Sequence, residues 1–229
     1  ESDSRFTVLE LAHEDICAAR KEALRSARGE YAIFLNPGDQ FDPGLLEKLY
    51  AAVAENQADL AACNYSAVNA WGRAVPQQAV HTVWISAGAS VFSWRDCPDY
   101  ILRVIDPILW NRLYRTEFLR NLDLELPGIV SDPEISLAAV SVAAAERISF
   151  VPETLICTKM DNPVKDLDEI RNSVFAAVER AKRLPQREEI RHAITSFPIN
   201  HFIAALSRQI RDFSSPEASW FYQMVHEVF

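Results

Sequence analysis

Gly29-Glu30-Tyr31-Ala32-Ile33-Phe34-Leu35-Asn36-Pro37-Gly38-Asp39-Gln40-Phe41-Asp42-Pro43 is the stretch that decides the fold. Tyr31 to Leu35 is a short apolar run rich in aromatic and branched residues, the signature of a buried strand. Pro37-Gly38 is turn chemistry: proline presets φ, and glycine accepts the positive φ of a type II turn. Asn36 and Asp39 flank that turn. Asp42 and Pro43 then read as the N-cap and first position of a helix running to Asn56. In an open α/β sheet ligands bind at the carboxyl ends of the strands, and this order places the turn there.

Working outward, Phe6 to Leu11 reads as an earlier strand. Asp15 is positioned to cap a helix running to about Arg28, with Ile16, Ala19, Ala23, Leu24 and Ala27 at helical spacing and Gly29 as its C-cap. Strand, helix and strand make a βαβ unit with a right-handed crossover. Downstream, Leu45, Leu46, Leu49, Ala52 and Val53 stripe one side of the next helix, and Asp59 to Tyr65 reads as a parallel strand. Val75 to Ser93 alternates enough for one or two strands. A helix from Glu134 to Ala145 and a strand from Arg147 to Leu155 follow. A polar linker spans Asp161 to Asp168. From Leu167 on, Ile170, Val174, Ala177, Val178 and Ala181, then Ile199, Phe202, Ile203, Leu206 and Ile210, recur at helical spacing, with breaks near Pro185, Pro198 and Pro216. The expected class is α/β: a mostly parallel sheet flanked by helices in residues 1–160, with a helical C-terminal region in 161–229.

The chain's 229 residues, 49% of them hydrophobic, suffice for one large globular domain. A net charge of −9 argues against general binding to nucleic acid or an anionic membrane, while leaving room for a local basic pocket. Cys17, Cys63, Cys97 and Cys157 are scattered without zinc or redox spacing, as buried thiols in a reducing compartment would be. No signal peptide or bilayer-length apolar run is visible. The expected location is therefore cytoplasmic, with peripheral attachment at the inner face of the membrane compatible with that. A start at Glu1 rather than Met is what an excised piece of a longer protein would show. No Gly-rich phosphate loop, Gly-x-Ser-x-Gly elbow or His-Glu-x-x-His is present.

Several motifs follow one another along the chain: Ala19-Arg20-x-Glu22-Ala23-Leu24-x-x-Ala27-x-Gly29-Glu30-Tyr31, then Phe41-Asp42-Pro43, then Ala58-Asp59 with Tyr65. Trp110-Asn111-Arg112-Leu113-Tyr114-Arg115, the Val130–Leu137 segment and the strand ending at Leu155 complete the set. Together they resemble the inverting family 2 glycosyltransferases of the A-type fold. The resemblance runs from Phe6 to Leu155. It implies a nucleotide-diphospho-sugar transferase-like fold, a nucleotide-sugar donor, and a glycan or polyol-type acceptor hydroxyl in cell-envelope polysaccharide synthesis. It also implies a divalent metal, Mn or Mg, against the diphosphate. The family's Asp-x-Asp is Asn36-Pro37-Gly38 here, leaving Asp39 as the nearby carboxylate. The family's first strand–helix–strand unit, with its Asp-Asp turn, has no counterpart before Phe6.

Inverting transfer needs a base for the acceptor hydroxyl, and the resemblance assigns that role to Asp132; the competing reading is a helix cap before Glu134. Asn36 and Asp39 would face the donor, with Asp39 as the metal contact, yet one carboxylate is a poor magnesium or manganese site, and the competing reading, a structural turn in which Asp39 accepts backbone N–H bonds, has the edge. Trp110, Asn111 and Arg112 would line the acceptor side by resemblance, whereas periodicity puts Trp110 and Tyr114 on one buried helical face. His13 and Glu14, Asp96 and Asp99, and Asp166 and Asp168 read as solvated charge. Two functions stand: a sugar transferase, or a non-catalytic module of a larger protein using the same fold to bind or scaffold. The C-terminal helices offer either one a partner or self-association surface.

Overall fold

A computed structural model describes residues 3, 5–10, 16–69, 71–85, 89–122, 133–159 and 167–209. Two long strands form its spine. β3 (Leu60–Val68) and β7 (Ile148–Lys159) run parallel, paired from Leu60 opposite Ile148 to Val68 opposite Lys159 with a shift of register between. Shorter strands line each outer edge end to end. β6 (Arg112–Arg115) and β4 (Ala74–Gln77) pair with β3, while β5 (Val91–Phe92) and β2 (Gln40–Phe41) pair with β7. β1 (Tyr31–Ile33) closes the row outside β6. Every pairing other than β3 with β7 is antiparallel.

The α/β class and the helix-flanked sheet are as the sequence indicates, but the sheet is mixed rather than mostly parallel. β1, β3 and β7 do point the same way. β6 enters from the opposite edge and wedges between β1 and β3, so those two strands never touch. β3 is buried over nearly its whole length, as a central strand covered on both faces must be.

One face is covered by α2 (Leu45–Asn56), which drives Leu45, Leu49 and Val53 against Ala61, Cys63, Leu113 and Val151. The other face carries α3 (Ile101–Val104), α5 (Pro133–Ala144), α6 (Leu167–Ala181) and the start of α7 (Arg191–Gln209) over Leu60, Ala62, Tyr114 and Ile148. α5 is apolar nearly all round and accordingly buried nearly all round. The α6 stripe lies as the periodicity indicates: Ile170, Val174, Ala177, Val178 and Ala181 are all buried. α6 and α7 thus share one core with α5 and the sheet.

Several expectations change. Residues 6–10 form no strand; Phe6 and Val8 are 80% and 84% exposed, because alternation makes a strand only where a neighbouring edge accepts its hydrogen bonds. α1 (Ile16–Ser26) stops before Gly29, and Gly29 has no left-handed φ, so it is not an αL cap. α2 starts two residues later than Asp42-Pro43 implies. Its N-cap is Gly44, and the Asp42 carboxylate instead accepts the Gly44 N–H at 2.8 Å. α7 continues through Pro198, which forfeits one helical bond where the helix is already held by buried Ile194 and Phe197. Trp110 sits in a turn and Tyr114 in β6, so they share no helical face. Asp96 is not merely solvated: its carboxylate accepts the Ser93 N–H at 2.7 Å. His13, Glu14, Asp15, Asp132, Asp166, Pro216 and most of the 161–168 linker lie outside the described residues. Among the described residues no helix is long and apolar enough to cross a membrane.

Candidate functional site

β1 and β2 sit at opposite ends of the strand order, so the chain between them must traverse the sheet along its carboxyl edge. Within that crossing, the Asp39 N–H donates to the Asn36 carbonyl at 3.4 Å and Gly38 has φ of +90°. This is the expected type II turn. A Cβ at Gly38 would meet nothing within 4 Å, so glycine is required there by backbone conformation and not by space. Beyond the turn, β2 pins the chain to the far half of β7, pairing Gln40 with Cys157 and Phe41 with Ile156, and the Asp42 N–H donates to the Leu155 carbonyl at 2.9 Å.

Asp39 is therefore held from both sides. Thr158 Oγ1 donates to its Oδ1 at 2.7 Å. Its Oδ2 is shut away from solvent and has no hydrogen-bond partner among the described residues. An unsatisfied buried carboxylate oxygen is costly unless something donates to it, and Asn111 Oδ1 and Arg112 Nε are in the same state. Thr158 escaped the sequence reading because it lies 119 positions from Asp39, and no motif joins them.

A further feature shapes this edge. The β3–β7 register slips between Cys63 and Tyr65, opposite Pro152 and Glu153, a bulge where proline's missing N–H does no harm. Asn64 spans the slip, donating Nδ2 to the Pro152 carbonyl and accepting the Ala79 N–H on Oδ1. The bulged Glu153 pairs with Lys48 of α2 at 2.5 Å.

Trp110, Asn111 and Arg112 reach the same edge from the other direction, and they are buried. Trp110 is 8% exposed and stands edge-on to Tyr65, with ring centroids 4.9 Å apart. Asn111 is fully buried; its Nδ2 donates to the Cys63 carbonyl at 2.8 Å, and its own carbonyl accepts the Cys63 N–H at 3.1 Å. Arg112, also fully buried, donates Nη1 to the Ala138 carbonyl at 3.0 Å and Nη2 to the Asp106 carbonyl. A guanidinium has several donors and no acceptor, so it can tie α5 to the loop before β6 in one stroke. These contacts brace the edge from within.

Asp59 has a structural role. It is buried, pairs with Arg115, and accepts the N–H groups of Glu146 and Arg147, which locks the start of β3 to the end of β6 and to the α5–β7 loop. Cys63 and Cys97 are free and buried, and burial pushes each thiol up to about 12, which leaves both unreactive. No cluster of three or more His, Cys, Asp or Glu exists among the described residues. Asp39 offers one oxygen, so these residues do not by themselves form a metal site.

The family model described as Glycosyl transferase family 2 matches residues 1–128, more than half of the chain and ending short of Asp132. EpsH of Bacillus subtilis (strain 168), named as a glycosyltransferase, is 26% identical over 132 residues, covering 55% of this chain and 35% of the relative. Glycosyltransferase GlyA of Streptococcus pneumoniae serotype 4 is 33% identical over 69 residues, covering 30% of this chain and 10% of the relative. The crystal structure of S. aureus TarS 1–349 superposes with a TM-score of 0.64 at 19% identity, covering 89% of this chain and 55% of that one. The same TarS segment in complex with UDP-GlcNAc gives a TM-score of 0.59 at 17% identity, covering 86% and 57%. The chain thus spans about a third or less of its curated relatives and somewhat over half of TarS 1–349. At these identities the TarS likeness shows an A-type glycosyltransferase fold, and with the family match it follows that this chain belongs to glycosyl transferase family 2.

Proposed function

We propose that this chain acts on a nucleotide-diphosphate sugar, passing the sugar with inversion to a hydroxyl of a glycan or polyol acceptor in cell-envelope polysaccharide synthesis, at the cytoplasmic face of the membrane. The observation that carries this reading is Asp39. It lies in a conformationally fixed turn at the sheet's carboxyl edge, and its Oδ2 is buried without a donor. A ribose or sugar hydroxyl of the donor would satisfy that oxygen, with Asn36 beside it. A divalent ion on the diphosphate would contribute charge neutralisation. TarS has been solved with UDP-GlcNAc, which makes UDP-linked N-acetylhexosamine the first donor to try.

In this reading Asp132 removes the proton from the acceptor hydroxyl. The oxygen attacks the anomeric carbon from the face opposite the diphosphate. The anomeric C–O bond breaks, and its electrons leave on the nucleoside diphosphate. Asp132→Asn then abolishes transfer with the melting temperature nearly unchanged. A large loss of stability with transfer retained would make Asp132 a helix cap. Trp110, Asn111 and Arg112 act from beneath the acceptor side by positioning it.

Calorimetric titration with UDP, GDP, CDP and TDP, with and without manganese, tests the donor site. Binding of one nucleotide supports the transferase and names its donor class. Binding of none, in either condition, favours a non-catalytic module, the reading motivated by Asn36 and Gly38 standing where the family carries acidic residues.

A further inference from the structure

A second polar constellation lies beyond the residues assigned to sugar transfer. The loop after β4 and the loop after α3 are zipped together. Val80 bridges Ile105, the His81 N–H donates to the Val104 carbonyl at 2.7 Å, and the Asp106 N–H donates to the Ala79 carbonyl at 2.9 Å. This backbone frame fixes two side chains against each other. His81 Nε2 lies 3.0 Å from Asp106 Oδ1, and the Tyr65 hydroxyl donates to Asp106 Oδ2 at 3.4 Å. Both oxygens of the carboxylate are engaged, so its plane and that of the imidazole are preset.

Between this frame and α7 opens a cleft of about 460 Å³. Its apolar lining comes from Leu102, Ile105 and Phe197, and its polar lining includes His81, Asp106 and Asn200. The volume falls within the roughly 300–1,000 Å³ typical of small-ligand sites, which are likewise mostly apolar with a few fixed polar groups. Arg103 and His201 also line it, so the single carboxylate is matched by basic groups and the cleft has no strong excess of either sign. That combination suits a neutral, hydroxyl-rich ring. Planar side chains with fixed orientation exchange hydrogen bonds with neighbouring hydroxyls, and the apolar wall takes the C–H face.

We propose that this cleft is a subsite for one neutral sugar unit of a glycan, with His81, Asp106 and Asn200 contacting its hydroxyls. The choice of a sugar as ligand rests on the transferase reading; the cleft itself does not. Saturation-transfer NMR on the whole chain, without nucleotide, tests it with maltose, cellobiose and di-N-acetylchitobiose, and with glucose 1-phosphate as the anionic control. At least one neutral disaccharide is expected to bind. His81→Ala is expected to weaken that binding about tenfold and Asn200→Ala several-fold, each removing hydrogen bonds to the ring. Circular dichroism on both variants checks folding, and Asn200→Ala, whose half-buried amide otherwise donates only within α7 to the Ser196 carbonyl at 2.8 Å, serves if His81→Ala perturbs the loops. No saccharide binding, binding unchanged in both variants, or binding of glucose 1-phosphate alone overturns the proposal. Saccharide binding with no nucleotide binding leaves the subsite standing and removes the donor reading; the converse removes the subsite alone.

Discussion

The Asn36–Asp39 turn and the Trp110–Arg112 segment arrive at the same edge of the sheet with opposite characters. The turn is half open. It is held by backbone geometry and one hydroxyl, and it keeps an unsatisfied oxygen. The Trp110–Arg112 segment is buried, although Asn111 Oδ1 and Arg112 Nε also lack a partner among the described residues. Its amide and guanidinium donate to the main chain of β3, of α5 and of the preceding loop. The turn departs from the family motif and the Trp110–Arg112 segment keeps it, and it is the kept motif that is tied into the surrounding main chain.

Substitutions can break that contrast. Arg112→Ala is expected to have the largest effect. It strands the buried Ala138 and Asp106 carbonyls and should lower unfolding free energy by about 3 kcal/mol, read from the urea midpoint. A stable Arg112→Ala protein that has lost acceptor use would instead place Arg112 at the acceptor. Asp39→Asn should do the reverse. It keeps an acceptor for Thr158 and removes the charge, so stability should move by less than about 1 kcal/mol while nucleotide affinity falls about tenfold. A substantial stability loss with affinity intact would make the turn purely structural.

Gly38→Ala sharpens the picture further. With φ at +90° and open space around the site, the penalty is conformational alone, about 1 kcal/mol, and should appear as a melting-temperature drop of a few degrees. A loss well above that would mean that the turn packs more tightly than its surroundings show.

The smallest effect concerns pH. The Asp106 hydrogen bond raises the His81 pKa above its ordinary value, opposed by burial and by Arg103. A raised folded-state pKa gives stability that is complete below the unfolded value, about 6.5, and is lost as pH rises through the folded value. The imidazole is 42% exposed, so solvent screens the pair and the contribution stays below about 1 kcal/mol. His81→Gln should therefore destabilise more at pH 5.5 than at pH 9. An equal loss at both would assign His81 a packing role only.

What was legible in the chain was local. Leu45, Leu49 and Val53 announced α2, and Ile170 through Ala181 announced α6, because burial of one face requires helical spacing. Pro37-Gly38 announced a turn because few residues tolerate that backbone. The pairings were not legible. Arg112-Leu113-Tyr114-Arg115 carries no mark of lying antiparallel between β1 and β3, since strand partners are chosen by non-local packing. Phe6 and Val8 had the right alternation and no edge to join. The Asp39–Thr158 contact and the Tyr65–Asp106–His81 chain join residues far apart in sequence, and neither has a spacing that could be searched for.

The wedged position of β6 also sets the order in which the molecule can be made. Emerging from the ribosome, β1 has no neighbour until Arg115 is synthesised, and β3 waits for Ile148 before its other edge is covered. Sheets built from such distant pairs close slowly, and uncovered edges recruit other chains meanwhile. A nascent chain stopped just after β6 would expose the apolar run of β3 along one side. Translation arrest there should give an aggregation-prone species, whereas arrest after Lys159 should give one with its sheet complete.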